Sequence, residues 1–109
     1  MLIEQRTYTL EPGKMRQYLA TYEKEGLEIQ KRILGHWLGC MVTEIGPLNQ
    51  VIHLWGFNSF EDRLARRARL TADPTWQSYL AKVAGLAVHQ ENRILLPAAF
   101  WSPPAAAQA

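Results

Sequence analysis

The sequence predicts an α+β fold whose elements run β-α-β-β-α-β, with the second helix broken in two. Three observations predict it. Four segments read as strands, namely Leu2 to Leu10, His36 to Ile45, Asn49 to Phe57 and Val88 to Leu96. The two intervening stretches carry apolar residues at helical spacing. Turn and cap signals punctuate the junctions, at Glu11-Pro12-Gly13, Gly35, Gly46-Pro47-Leu48 and Asn58-Ser59. This order is the ferredoxin-like arrangement, an antiparallel sheet with helices on one face.

The first strand, LIEQRTYTL, alternates with period two and ends at Pro12, which suits the first turn of a helix. The helix predicted from Gly13 to Leu34 places Leu19, Tyr22, Gly26, Ile29 and Ile33 within about 40° of Met15, and Tyr18 about 60° away. Lys24, Glu28, Lys31 and Arg32 point the other way, and Gly35 follows as a C-cap glycine. Ser59 is the expected N-cap of the second helix, with Glu61 and Asp62 in its first turn. That helix runs to about Leu70. Asp73-Pro74 restarts it, and Trp76, Leu80, Val83 and Ala87 form a new apolar stripe. One domain over residues 1–104 is expected, then a frayed end, 105–109.

At 109 residues there is room for a single core. A hydrophobic fraction of 48% and a charged fraction of 20% argue for a globular chain. The net charge of +2 is far from the basic stripe of a nucleic-acid binder, so no nucleic-acid partner is expected. The single cysteine, Cys40, excludes an internal disulfide framework and fits a reducing compartment. No apolar run is long enough for a membrane span, and the first residues lack a signal-peptide core; the expected location is cytoplasmic, with no membrane partner.

The sheet is predicted to be apolar on both faces. The second strand shows Leu38, Cys40 and Val42 on one side and Trp37 and Met41 on the other; the third alternates Val51, Trp55 and Phe57 with Ile52 and Leu54. Helices cover only one set, and leaving the other in water exposes more apolar surface than monomers tolerate. A second copy of the same sheet is the simplest cover, giving a homodimer that closes into a dimeric α/β barrel. The competing cover is the chain's own tail, Ala98 to Pro104 with Phe100 and Trp101.

Arg67 is the most unusual helix position. Counted from Phe60 it returns to within about 20°, with Leu64 about 40° to the other side, so a guanidinium is directed into an apolar stripe with Arg63 at its edge. Buried guanidiniums are paired or functional. Arg67 is therefore either an ion-pair partner of Glu4 or Glu44, or a clamp for an anionic or carbonyl-bearing ligand. Arg66 and Arg69 are expected to be solvated. His53, on the face of Trp55, is either a core histidine or a base in a pocket. Tyr22 and Gly26 imply either tight helix packing or a hollow beneath the helix. The three histidines and one cysteine lack metal-ligand spacing, and no glycine-rich phosphate loop is present, so neither metal nor cofactor is expected.

With these residues in hand, the chain resembles the NIPSNAP family in EQRTYTLEPGK (Glu4 to Lys14), GCMVTEIGPLNQVIHLWGF (Gly39 to Phe57), SFEDRLARRARLTADPTW (Ser59 to Trp76) and QENRILLP (Gln90 to Pro97). It departs at Gly56-Phe57, where the family more often shows an aromatic pair around a tyrosine. The resemblance implies the dimeric α/β-barrel superfamily, whose members include cofactor-free oxygenases, haem-degrading enzymes and small-ring isomerases. It does not fix an activity. The expected function is binding of a small organic ligand, aromatic, carbonyl-bearing or anionic, between sheet and helices. Arg6, Tyr8, Tyr18, Tyr22, Trp55, Arg63 and Trp76 would bind it. If it is an enzyme, Arg67 would stabilise an oxyanion and His53 or a tyrosine would move the proton, as in a cofactor-free oxygenase or isomerase. The alternative is a non-catalytic protein-interaction module.

Overall fold

In the computed structural model, which describes residues 1–105, strands β1 (Leu2–Leu10), β2 (His36–Val42), β3 (Gln50–Phe57) and β4 (Ala87–Leu95) form one antiparallel sheet in the order β2-β3-β1-β4. Helices α1 (Met15–Thr21), α2 (Leu27–Leu34), α3 (Phe60–Ala72) and α4 (Pro74–Val83) complete the ferredoxin-like α+β fold. The predicted frayed end falls almost wholly outside the described residues. Among those residues no helix is long and apolar enough to cross a membrane.

The caps stand where the sequence puts them. Ser59 accepts the Asp62 amide at 3.0 Å, and Asp73 accepts the Trp76 amide at 3.0 Å. Gly35 ends α2 at φ +88°, a left-handed backbone that favours glycine. The first helix is not continuous, however. Tyr22–Gly26 forms a π turn between α1 and α2. There a Cβ on Gly26 would lie 3.0 Å from the Tyr79 ring and 3.1 Å from the Tyr22 ring, so the glycine serves close packing against α4.

The predicted β2 is too long, because pairing stops near Thr43 and the loop beyond exposes Ile45 and Leu48. A bulge between Trp37 and Gly39 also reverses part of the predicted facing. Trp37 pairs with Trp55, Cys40 with His53 and Val42 with Val51, so Trp37 joins Cys40 and Val42 on the helix side. One extra residue in a strand shifts every side chain before it to the other face. The helix-side face of β1 and β3 carries Leu2, Glu4, Arg6, Tyr8 and Leu10 beside Phe57, Trp55, His53 and Val51.

The open face is mixed rather than uniformly apolar. Met41, Ile52 and Leu54 lie on its β2–β3 half, whereas Gln5, Thr7, Glu91 and Arg93 line its β1–β4 half. The tail reaches from the end of β4 back to His36, whose Nε2 lies 2.7 Å from the Pro104 carbonyl oxygen. It thus spans the sheet's width at one end, while Phe100 stays exposed. The result is a slab, 39 × 35 × 22 Å, with a radius of gyration of 14.2 Å against about 13 Å for an average domain of this length.

The helix side departs from the predicted stripes at α3. Arg67 faces inward as the helical count has it, but Arg63 and Leu70 join it there, while Phe60 and Leu64 point to solvent at 60% and 69% exposure. The cause is a carboxylate: Glu4, fully buried on the sheet, draws Arg63 to it. Arg66 and Arg69 are not merely solvated. Both donate to the Ile33 carbonyl, at 3.0 and 3.3 Å, satisfying the carboxyl end of α2. On α4, Trp76 and Tyr79 are buried, Leu80 is partly exposed, and Ala87 opens β4 instead of extending the helical stripe.

Candidate functional site, an aromatic cavity beside an arginine cluster

Between the sheet and the helices lies a cavity of about 200 Å³. Tyr8 and Gln90, paired across β1 and β4, form its floor. Tyr18 and Tyr22 enter from the first helix, Gln30 from α2, and Trp76 and Tyr79 from α4. Val83, Leu80 and the turn at Ala84 and Gly85 close one end. The rings hold one another: Tyr18 stacks on Tyr22 at 6.1 Å between centroids, and Trp76 tilts against Tyr79 at 4.9 Å. The Tyr22 hydroxyl donates to Gln30 Oε1.

His53 stands behind this wall. It is 2% exposed, and its Nε2 lies 2.8 Å from the Tyr18 hydroxyl, a bond whose proton sits on either atom according to the imidazole tautomer. Its Nδ1 is buried without a partner. Burial, reinforced by the charge of Arg6, pushes its pKa down to about 4, so it is neutral at pH 7. Burial also drives the hydroxyls of Tyr18, Tyr22 and Tyr79 well above the usual tyrosine range, so they stay protonated. The same effect raises the Cys40 thiol, which argues against a thiolate nucleophile there.

One step along β1 the chemistry changes from aromatic to charged. The Arg6 Nε donates to the Tyr8 hydroxyl at 2.7 Å, and its Nη1 to Glu4 Oε2 at 3.1 Å. The same oxygen accepts Arg63 Nη2 at 2.6 Å and Asn92 Nδ2 at 3.0 Å. Burial alone would raise the Glu4 carboxyl, but the Arg63 hydrogen bond and the charges of Arg6, Arg63 and Arg67 hold it below its ordinary value. Arg67 is not its hydrogen-bonding partner. Burial and then the charge of Arg6 lower the Arg67 pKa, and its Nη1 is buried without an acceptor.

The structure therefore gathers Tyr8, Tyr18, Tyr22 and Trp76 around one cavity and places His53 behind Tyr18. It collects Arg6, Arg63 and Arg67 beside Glu4. Trp55 does not line the cavity: it is fully buried between Glu4 and Trp37 in the sheet. Tyr79, Gln30 and Gln90 are not singled out by the sequence pattern. Tyr79 had a usable signal, since it follows Trp76 by three residues on α4.

Residues 3–103 match the NIPSNAP family. The NipSnap homolog of Dictyostelium discoideum is 33% identical over 94 residues, covering 86% of this chain and 41% of that protein, so the chain spans less than half the length of this relative. A NIPSNAP family protein from Agrobacterium tumefaciens is 47% identical with a TM-score of 0.92, covering 95% of this chain and 94% of that one. A putative antibiotic biosynthesis monooxygenase from Nitrosomonas europaea shares the fold alone, at 10% identity, a TM-score of 0.66 and coverage of 89% of this chain and 98% of that one. With the family's sequence pattern running from the first strand into the tail, the chain belongs to the NIPSNAP family.

Proposed function

We propose that this protein binds a small organic molecule in the cavity between its sheet and helices, acting as a homodimer. The observation that carries the reading is the cavity itself. Five aromatic residues and two glutamines surround about 200 Å³, the pattern of a largely apolar pocket with a few orienting polar groups. A void of roughly 150 Å³ admits benzene, so the space suits one aromatic ring. If the ligand is turned over, Tyr18 is the group that meets it and neutral His53 exchanges the proton through Tyr18. Arg67 is then the charge placed to stabilise a developing oxyanion.

The test is titration with a neutral ring compound, benzyl alcohol, followed by ligand-observed NMR. Saturable binding is expected, weakened at least about tenfold in Val83→Phe, whose ring would fill the cavity. Unaltered binding in a folded Val83→Phe protein would place the ligand elsewhere. Absence of binding in the parent protein would favour the interaction module, for which exposed Phe60 and Leu64 on α3 offer a surface.

Dimerisation is supported by the apolar half of the open face, Met41, Ile52 and Leu54, and by the exposed Ile45 and Leu48 of the adjoining loop. Two such faces packed together would remove that surface from water. Sedimentation at micromolar concentration should show a species of twice the chain mass; monomer alone would refute the assembly.

A further inference from the structure

The arginine cluster carries more positive charge than the protein around it balances. Three guanidiniums, Arg6, Arg63 and Arg67, surround one carboxylate, Glu4, which is fully buried. Glu4 satisfies parts of Arg6 and Arg63 through a single oxygen, Oε2. Among the described residues two buried donors, Arg67 Nη1 and Arg63 Nε, and one buried acceptor, Glu4 Oε1, are left without partners. One carboxylate cannot balance three guanidiniums even if its second oxygen turned to one of them, so an anionic ligand would supply both the missing acceptor and the missing charge.

None of the three arginines lines the cavity, but the cluster adjoins it through Tyr8. Tyr8 belongs to both, lining the cavity and accepting a hydrogen bond from Arg6. On β4 the cavity residue Gln90 is followed, on the same face, by Asn92, which donates to Glu4. Neighbours on one face of a strand are about 6.6 Å apart, so charge and ring sites are separated by the length of a short carbon chain.

We propose that the ligand is a compact arylalkanoate, with its ring in the aromatic cavity and its carboxylate held by Arg67 and Arg63. The inference rests on the cavity being the binding site. Two free donors match the two oxygens of a planar carboxylate, the pairing at which arginine is most effective.

The test compares 3-phenylpropanoate with its neutral counterpart 3-phenylpropanol, using calorimetry on the intact chain. The acid should bind about ten- to a hundredfold more tightly, the range for hydrogen bonds to a charged group. Arg67→Met should erase most of that preference, and Arg67→Lys should restore part of it. Equal binding of acid and alcohol would overturn the inference but leave the cavity reading intact. An undiminished preference in folded Arg67→Met would remove Arg67 from the site. Phenyl phosphate binding more tightly than the acid would overturn the carboxylate assignment. If none of these compounds binds, both the inference and the cavity reading fall.

Discussion

Replacing Glu4 by glutamine is expected to destabilise the fold by on the order of 3–5 kcal/mol, the range for breaking a buried ion pair by removing one partner. The side chain keeps its shape and one acceptor oxygen, so the loss comes from charge. Arg6 and Arg63 donate to Glu4 Oε2 from a largely buried setting, and Arg67 adds a third cation nearby. Without the carboxylate, three guanidiniums face one another in a poorly solvated space. Thermal unfolding at fixed protein concentration should show a midpoint more than about 10 °C lower. The double variant Glu4→Gln with Arg63→Gln should recover part of the loss, because it removes one of the stranded charges. A Glu4→Gln change below about 1 kcal/mol would mean that solvation of the guanidiniums by water, rather than the Glu4 charge, stabilises the cluster.

The second large effect is acid sensitivity traced to His53. Its pKa is about 4 in the folded protein against an ordinary 6.5, because the ring is buried and Arg6 lies near. Above about pH 6.5 both folded and unfolded chains hold it neutral. Between about pH 6.5 and 4 only the unfolded chain takes up the proton, so the folded state loses stability as pH falls. At 1.36 kcal/mol per pH unit the loss approaches on the order of 3 kcal/mol. Glu4, whose pKa is also depressed, adds a loss of the same sign at lower pH. The two are separable. Denaturant unfolding of His53→Gln should give a shallower pH dependence than the parent over pH 6.5 to 4, since glutamine can still bond the Tyr18 hydroxyl. Parallel curves would show that His53 takes up its proton equally well in the folded protein.

Local pattern carried much of the architecture. Period-two strands, helical spacing, the Ser59 and Asp73 caps and the Gly35 stop all act within a few residues, so their physics is legible in one dimension. The β2 bulge was not, because a single extra residue near Leu38 is defined by its partner strand. The inward face of α3 was misread for a different reason. Phe60 and Leu64 make the more apolar stripe, yet ion pairing to Glu4 turned Arg63 inward and left those two in water. The clue lay in β1. Alternation from Leu2 to Leu10 places Glu4, Arg6 and Tyr8 on the same face as the two leucines, so a charged pair was bound to enter the core.

The candidate site was legible as a set of residues more than as a geometry. Tyr8, Tyr18, Tyr22 and Trp76 meet at one cavity, and of the two readings of Gly26 close packing holds, since the Tyr79 ring stands against it. Gly26 permits that approach, and the cavity opens beside it, bounded by Tyr22 and Tyr79. No one-dimensional count separates these outcomes, since both need a small residue on the buried face. His53 does not line the cavity; its Nε2 meets the hydroxyl of Tyr18, which does.

The most direct evidence would come from a crystal structure of the chain grown with 3-phenylpropanoate. Ring density should appear between Tyr22, Trp76 and Tyr79, with the carboxylate within hydrogen-bond distance of Arg67 Nη1. An empty or water-filled cavity at saturating acid, with the compound bound elsewhere on the molecule, would contradict this placement.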